Sequence, residues 1–349
     1  MYNVETTGSH SHEANSFVLD VVTDFCSHKH KMTPPLITLE EHFVSDHVRK
    51  QAAKDSYAAF PNELVRKLED VGTLRLKDMD SGSVNRQVIS HGPVDASPEA
   101  CRNANNDLAS ACAQHPSRLS GFAMLPMSDP TSAAEELTRC IETHEFVGAL
   151  INNHFQGNFY DDEKFWPVFA RAQELDVPVY IHPSFAADEW MPHYKGNYPD
   201  KTANMLSMAG WGWHSETGLH VLKLWASGLF DKYPRLKVIV GHMGEMLPFQ
   251  LDRIVPMSAG WASNKRDLKT VWKENFWITT SGMFSLAPLA CLLKMCSVDR
   301  ILYSVDYPFS TNEKGLEFVK EVEKSGMVSQ EDLRAICSGN AERLLKVKV

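Results

Sequence analysis

The sequence predicts an α/β fold, a (β/α)8 TIM barrel formed by a single domain with a short N-terminal extension. From residue 34 onward, short apolar segments alternate with helix-like segments, which is the pattern of a parallel barrel. The first apolar segment is followed by no glycine-rich loop, which a doubly wound open sheet would ordinarily carry there. Histidine and carboxylate residues follow several segments, and the strand ends are where a barrel keeps its active site.

The apolar segments are the predicted strands. They span residues 36–39, 87–90, 119–125, 147–151, 178–181, 236–240, 276–280 and 301–305. Between them, Ser97 and Asp129 are each followed by a proline, which predicts helix starts. Residues 216–230 predict one long helix, and Asn340 is expected to cap a helix over residues 341–347.

The composition argues against some classes of function. The chain of 349 residues carries a net charge of −9, which disfavours nucleic acid or an anionic membrane as the main partner. No apolar run approaches the roughly 20 residues that span a bilayer. The seven cysteines form no CxxC pair, so we expect free thiols in a reducing compartment and a cytoplasmic location.

The domain organisation is expected to be simple. Residues 1–33 are predicted to be a loosely ordered extension, and residues 34–349 the barrel. The extension contains two His-x-His pairs, which follow no convincing strand and are not expected to bind metal; they are His10 with His12 and His28 with His30.

Four side chains follow predicted strands at matching positions. Glu40 and His42 end the first strand, His182 follows the fifth, and Asp306 follows the eighth. Residues two apart on an extended chain point the same way, so Glu40 and His42 would leave their strand together. Two imidazoles and two carboxylates form a donor set suited to a divalent transition metal. The sequence therefore predicts a metal site at the mouth of the barrel.

Each of these residues has a structural alternative. A histidine after a buried strand, such as His182, can be a hydrogen-bonded core residue, and Asp306 can be a helix cap or turn residue. Glu245, which follows the sixth strand three residues after His242, can be a carboxylate placed at a helix N-terminus. The coincidence of four donor residues at matched strand ends favours the metal site.

The motifs around these residues resemble those of a known family. They are Leu39-Glu-Glu-His-Phe43, Val147-Gly-Ala-Leu150, His182-Pro183, Ala226-Ser-Gly-Leu-Phe230, Gly241-His-Met-Gly-Glu245, Thr280-Ser-Gly282 and Asp306-Tyr-Pro-Phe309. The chain resembles the amidohydrolase superfamily, and specifically its branch of non-oxidative aromatic-acid decarboxylases. The wider superfamily usually ends its first strand in His-x-His, so Glu40 with His42 points to this branch. Tyr307 departs from the tryptophan that relatives often carry, and the pocket segment after His182 is poorly matched.

The resemblance implies the chemistry of the site. Glu40, His42, His182 and Asp306 would hold the metal, with His242 and Glu245 beside it as a catalytic dyad and Asp306 as the acid. The fourth strand runs into Asn152-Asn153-His154 without the lysine that binuclear relatives use. One divalent ion is therefore expected, with zinc first and manganese or magnesium as alternatives, and no organic cofactor.

The expected activity is that of a carbon–carbon lyase, a carboxy-lyase that releases CO2 from an ortho-hydroxylated benzoic acid. Candidate substrates are 2,3-dihydroxybenzoate, 2,6-dihydroxybenzoate, salicylate and orsellinate-like acids. The ring carbon would be protonated before CO2 leaves, because direct loss would generate an aryl anion. The family also implies a homodimer or homotetramer.

Several further residues are candidates for the substrate pocket. His91, Trp211, Arg253 and Tyr307 are expected to contact the substrate, and Trp190 and Trp213 are further candidates for the aromatic wall. Two rival functions stay open. One is a mononuclear hydrolase of a lactone or cyclic amide, in which His242 would act as base on metal-bound water. The other is a catalytically silent barrel that serves as a binding protein.

Overall fold

The structure, a computed structural model, describes residues 33–51, 57 and 60–349. The chain divides into two units, Met1–Thr33 and Pro34–Val349. The expected N-terminal extension, including its two His-x-His pairs, therefore lies outside the described residues except for Thr33. Its loose order stays a prediction.

Within the described part of the chain, eight parallel strands form a closed barrel. The strands are β1 Leu36–Phe43, β2 Val84–His91, β3 Leu119–Gly121 with Ala123–Met124, β4 Ala149–Asn152, β5 Val179–His182, β6 Val238–Val240, β7 Phe276–Thr279 and β8 Ile301–Leu302. Each strand pairs in parallel with the next. A parallel bridge between Glu41 and Tyr307 joins the last strand region to the first, where His42 N–H donates to Tyr307 O at 2.7 Å. The predicted (β/α)8 barrel is confirmed.

Helices fill the connections between the strands. They span Asp46–Arg49, Asn62–Glu69, Thr73–Ser81, Pro98–Gln114, Pro130–His144, Trp166–Glu174, Met191–Tyr194, Asp200–Ser207, Gly212–Ala226, Leu229–Lys232, Leu247–Ser258, Leu268–Asn275, Leu286–Met295, Asn312–Ser325, Gln330–Arg334 and Asn340–Leu345. Short helical segments lie at Glu163–Phe165, Asp188–Trp190, Val298–Arg300 and Ala335–Gly339. None of the helices in the described ranges is long and apolar enough to cross a membrane.

The helix starts test the predicted caps. Ser97 accepts a hydrogen bond from Ala100 N, and Asp129 accepts from the first turn of its helix, as predicted. The prediction for Asn340 is wrong: it lies inside its helix, and its side-chain amide donates to Val298 O and Ile301 O, at 2.7 Å each. The expected long helix ends early because Gly228 adopts a left-handed backbone, with φ of +86°.

The barrel interior holds one layer of apolar side chains, to which nearly every strand contributes. The layer comprises Ile37, Leu39, Val88, Phe122, Leu150, Tyr180, Ile239 and Leu302, and Ala341, Leu344 and Leu345 pack against it. Side chains on the opposite face of the strands pack against the helices in a second, larger core. The interior is thus a packed core below the site rather than a pore.

An extra residue in β1 changes which side chains face inward. Thr38 pairs with Gln87 and Glu41 with Ile89, so three steps along β1 match two along β2. Such a bulge re-aims the side chains that follow it, and bulges are common beside active sites. Ile37 and Leu39 face the barrel interior below the bulge, and Glu40 and His42 face it above. Glu41 consequently points away from the centre, toward β8.

Glu41 closes the barrel through its buried carboxyl group, whose pKa is raised to about 8 by burial. It accepts hydrogen bonds from Ser304 Oγ at 3.0 Å, Val305 N at 3.1 Å and Tyr307 N at 3.0 Å.

The change Glu41→Ala should lower the free energy of unfolding by about 2–6 kcal/mol, since two buried N–H groups lose their acceptor at about 1–3 kcal/mol each. Urea unfolding measures this. The exposed control Glu135→Ala should shift stability by less than about 0.5 kcal/mol, and an equal shift in both variants would contradict the closure role.

The cysteines in the described residues are all free thiols. They are Cys101, Cys112, Cys140, Cys291, Cys296 and Cys337. The remaining cysteine, Cys26, lies outside the described ranges.

Candidate metal centre

The four predicted metal ligands meet at the C-terminal end of the barrel. Glu40 and His42 come from β1, His182 ends β5, and Asp306 follows β8. One donor atom from each lies within 4.8 Å of the donor atoms of the other three. The closest pairs are His182 Nε2 with Glu40 Oε1 at 3.1 Å and His42 Nε2 with Asp306 Oδ1 at 3.4 Å. Residues far apart in sequence are therefore brought together as predicted.

Strained backbone holds the residues of this site in place. Asp306 has a φ of +69°, and four residues that follow β6 also have positive φ: His242 at +48°, Met243 at +56°, Glu245 at +51° and Met246 at +65°. Residues other than glycine adopt this region at a cost of about 1–3 kcal/mol each, and such strain clusters at functional sites. These turns therefore place the side chains of the site at a cost in local backbone stability.

The donor atoms are prepared for a cation. Glu40 Oε1 and His42 Nε2 are buried and have no hydrogen-bond partner among the described residues. His182 Nδ1–H donates to Pro183 O at 2.6 Å, which leaves Nε2 as the free ligand atom. Buried polar atoms without partners are costly, so their convergence fits a divalent ion held between them. Two nitrogen and two oxygen donors suit zinc or manganese.

The protonation states of the site also fit metal binding. Burial lowers the pKa of His42 to about 4 and also lowers the pKa of His182. Burial alone would raise the pKa of Glu40, but the charge of His242 holds it well below its usual range. Neutral imidazoles and an ionised carboxylate are the forms that bind metal. Asp306 differs, since burial and the charge of Glu40 raise its pKa to about 7.

A second set of residues orients Glu40. Its Oε2 accepts hydrogen bonds from Tyr180 OH and from Thr279 Oγ1, the latter at 3.2 Å, while Oε1 faces the other ligands. Gly241 lies directly behind, where a Cβ would stand 2.9 Å from Glu40 Oε2 and 3.0 Å from Tyr180 OH. A side chain at position 241 would therefore displace the carboxylate. Only glycine leaves room for this hydrogen-bonded pair.

Loss of the Tyr180 hydroxyl should weaken metal binding. The change Tyr180→Phe leaves Glu40 Oε2 with one hydrogen-bond donor, and losing such a supporting contact typically costs about 10–100-fold in metal affinity. Competition with a chelator measures the dissociation constant. The control is Tyr160→Phe, because Tyr160 OH is buried without a hydrogen-bond partner among the described residues, and it should bind metal like the parent. Equal affinities for all three proteins would contradict the role of Tyr180.

The predicted dyad lies beside the four ligands. His242 Nε2 is 3.5 Å from Glu40 Oε1, and His242 Nδ1–H donates to Glu245 Oε1 at 2.8 Å. Burial alone would lower the pKa of His242, but the charges of Glu40 and Glu245 raise it to about 10. An unpredicted residue completes the cluster: His214 Nδ1 lies 2.6 Å from Glu245 Oε2. The dyad is thus assembled, and its catalytic role stays a prediction.

The four residues predicted to contact the substrate lie in different surroundings, two of them buried and two exposed. His91 is buried with both ring nitrogens bonded, Nε2 to Ser45 N at 3.0 Å and Nδ1 to Gly92 O at 2.8 Å. Tyr307 is buried and its hydroxyl donates to Asp78 at 2.8 Å. Trp211 is 52% exposed, and Arg253 is exposed on helix Leu247–Ser258. None of the four contacts a metal ligand through its side chain in the described hydrogen bonds and ring contacts, so their roles stay predictions.

Other aromatic side chains lie closer to the ligands. The Phe309 ring is 5.8 Å from the His42 ring, and the Trp213 ring is 6.2 Å from the His182 ring. Trp213 Nε1–H is buried and has no acceptor among the described residues. These two residues form an aromatic rim at the mouth of the site.

Sequence reasoning missed Tyr180, His214 and Phe309. Tyr180 precedes His182 by two residues on a strand, so the same spacing argument that paired Glu40 with His42 would have found it. Phe309 lies three residues after Asp306 in a recognised motif. His214 offered no signal, since its partner Glu245 is 31 residues away.

Comparison with known proteins places the chain in a family. A family profile described as amidohydrolase matches residues 42–347. Decarboxylase orsB of Emericella nidulans is 47% identical over 325 residues, covering 90% of this chain and 98% of that protein.

Two solved structures are similar over the same region. A 2,6-dihydroxybenzoate decarboxylase in complex with 2,6-dihydroxybenzoate shares 34% identity, with a TM-score of 0.82 and coverage of 90% of this chain and 100% of that chain. A dihydroxybenzoic acid decarboxylase from a Polaromonas species, with bound manganese and the inhibitor 2-nitroresorcinol, shares 35% identity, with a TM-score of 0.80 and coverage of 90% and 97%. All three named relatives are decarboxylases, which are carboxy-lyases. The chain belongs to the amidohydrolase family and, within it, to the branch of aromatic-acid decarboxylases.

Proposed function

We propose that the protein is a metal-dependent, non-oxidative decarboxylase of an ortho-hydroxylated benzoic acid. The observation that carries the proposal is the convergence of Glu40, His42, His182 and Asp306, with Glu40 Oε1 and His42 Nε2 buried and unpartnered within the described residues. The similarity to decarboxylases over nine-tenths of the chain supports the reaction class. Zinc or manganese is the expected ion, and the manganese of the Polaromonas structure makes both worth testing.

The residues divide the chemistry between them. A divalent ion held by the four ligands would orient the substrate carboxylate and the neighbouring phenolic oxygen and stabilise their charge. Asp306 is the ligand with the most exposed side chain, at 18%, so its carboxylate faces the mouth where substrate enters. In our proposal Asp306 accepts the phenolic proton and delivers it to the ring carbon that bears the carboxylate. This avoids an aryl anion.

The remaining steps release CO2 and account for the one proton that the net reaction consumes. Cleavage of the carbon–carbon bond releases CO2, and its electron pair restores the aromatic ring as a phenolate. His242, whose Nε2 lies at the edge of the ligand cluster, then supplies a proton to the phenolate oxygen. Solvent returns the proton to His242, so the net reaction consumes one proton and releases one CO2. Microscopic reversibility predicts slow carboxylation of the phenol in concentrated bicarbonate.

The experiment is CO2 release by purified protein loaded with Zn2+ or Mn2+. The panel comprises 2,3-dihydroxybenzoate, 2,6-dihydroxybenzoate, salicylate and orsellinate, with 3-hydroxybenzoate as the matched control that lacks an ortho hydroxyl. We expect turnover of at least one ortho-hydroxy acid without O2, none of the control, and loss of activity on chelation. Metal-loaded protein that turns over no acid in the panel would overturn the proposal. Lactone hydrolysis without CO2 would favour the rival hydrolase, and absence of bound metal would favour a silent barrel.

The remaining expectations are part of the same proposal. The partner is a small aromatic carboxylic acid, the chain assembles as a homodimer or homotetramer, and it acts in the cytoplasm. Light scattering of the purified protein measures the assembly, and a single-chain mass at working concentrations would contradict it.

A further inference from the structure

The carboxylate of Glu245 is shared between two imidazoles. Its Oε1 accepts from His242 Nδ1 at 2.8 Å, and its Oε2 lies 2.6 Å from His214 Nδ1. Glu245 is only 1% exposed, so these two contacts replace the water that would otherwise solvate the carboxylate. The dyad is therefore part of a row of three residues, His214, Glu245 and His242, with the carboxylate in the middle.

Both ring nitrogens of His214 face oxygen atoms that can accept a hydrogen bond. Nδ1 faces Glu245 Oε2, and Nε2 lies 3.2 Å from Ala209 O. A carbonyl oxygen can only accept, and the carboxylate already accepts from His242. His214 Nδ1–H therefore donates to Glu245 Oε2. Because the acceptor is an ionised carboxylate, this hydrogen bond is charge-assisted.

Structural needs alone do not explain a histidine at this position. His214 is the third residue of helix Gly212–Ala226. Its side chain is 19% exposed, so it contributes little to the apolar core. The ring lies 5.0 Å from that of His242 and meets it edge to face. The contact with Glu245 is what accounts for the placement of His214.

We propose that His214 is a positioning residue for the decarboxylation reaction, and this inference rests on the proposed function. By holding Oε2, His214 stops the carboxylate of Glu245 from rotating and keeps Oε1 on His242 Nδ1. This fixes the direction of His242, whose Nε2 then points at the ligand cluster, 3.5 Å from Glu40 Oε1. His214 touches no metal ligand in the described contacts, so it acts through Glu245 and not on the substrate.

Two substitutions separate this role from packing. His214→Leu keeps the volume and removes the donor, whereas His214→Asn places an amide N–H where Nδ1 stood. We expect kcat to fall about 10–100-fold in the leucine variant, as for other supporting residues, with KM and metal stoichiometry unchanged. The asparagine variant should recover most of kcat. Tyr194→Phe is the control, since it removes a hydrogen bond to Glu216 on the same helix without touching Glu245, and it should keep the parent kcat.

A second readout does not depend on activity. Imidazole N–H protons bonded to a carboxylate give far-downfield proton NMR signals, and the protein loaded with diamagnetic Zn2+ should show one from His242 and one from His214. His214→Leu should lose one signal and broaden or shift the other. Unchanged kcat in the leucine variant, or no rescue by asparagine, would overturn the inference even if both signals are present. If the parent protein decarboxylates no acid, the role in the reaction falls with the proposed function, and the NMR signals alone report the contact.

Discussion

Asp306→Asn is expected to lower kcat for decarboxylation by about 10²–10⁴-fold, the range for loss of a group that transfers a proton. Asparagine keeps the size and one oxygen of the side chain but can neither accept the phenolic proton nor deliver it to the ring. Without a bound ion, burial and the charge of Glu40 raise the pKa of the Asp306 carboxyl to about 7. A steady-state assay of CO2 release measures the effect.

Hydrogen exchange isolates the proton-transfer step. Incubation of the phenolic product with parent enzyme in heavy water should introduce deuterium at the ring carbon that carried the carboxylate, since that step runs in reverse. Asp306→Asn should abolish this exchange. The matched control is Asp299→Asn, an exposed aspartate with 57% side-chain exposure shortly before β8, which should behave like the parent. Exchange at the parent rate in Asp306→Asn would remove Asp306 from the mechanism.

Glu40→Gln is expected to abolish metal binding and with it all decarboxylation. Glu40 is the ionised group at the centre of the cluster, within 3.1 Å of His182 Nε2 and 3.5 Å of His242 Nε2. A neutral amide in the same place turns N–H groups toward these nitrogens and removes the charge that balances a divalent ion. Metal content after gel filtration should fall from about one equivalent per chain, the single cation that one four-donor site holds, to near zero.

Glu245→Gln provides the matched control for this result. It removes a second buried carboxylate, but one whose two oxygens are bonded to His242 and His214 and not to the four ligands. We expect it to keep its metal and to lose activity. Loss of metal in Glu245→Gln with retention in Glu40→Gln would move the ion to the cluster of His214, His242 and Glu245.

The strand ends were the part of the site that sequence could predict. Each ligand follows a short apolar run, and a parallel barrel brings all such ends to one face, so Glu40, His42, His182 and Asp306 could be grouped without knowing any distance. For β1, the spacing of Glu40 and His42 predicted correctly that they point the same way, but it did not explain why they face inward. The strand continues to Phe43, and the bulge between Thr38 and Glu41 is what turns Glu40 and His42 inward.

The residues around the ligands were harder to predict. Whether a side chain lines a pocket depends on loop paths that carry no periodic signal. Tyr307 illustrates this, because it follows Asp306 directly and yet its ring lies under Arg75, with the guanidinium carbon 4.8 Å from the ring centroid. His214 illustrates the opposite case, since only the folded chain brings it to Glu245. Element boundaries also depended on single residues, such as Gly228 and the side-chain bonds of Asn340.

The claim that four side chains hold one metal ion is tested most directly by anomalous diffraction. The crystals would contain manganese-loaded protein soaked with a hydroxybenzoate. We expect one strong manganese peak per chain, about 2.0–2.3 Å from the donor atoms of Glu40, His42, His182 and Asp306, with the phenolic oxygen and carboxylate of the hydroxybenzoate beside it. A peak elsewhere, or no peak within reach of these residues, would contradict the claim that four distant side chains meet to hold the ion that serves this reaction.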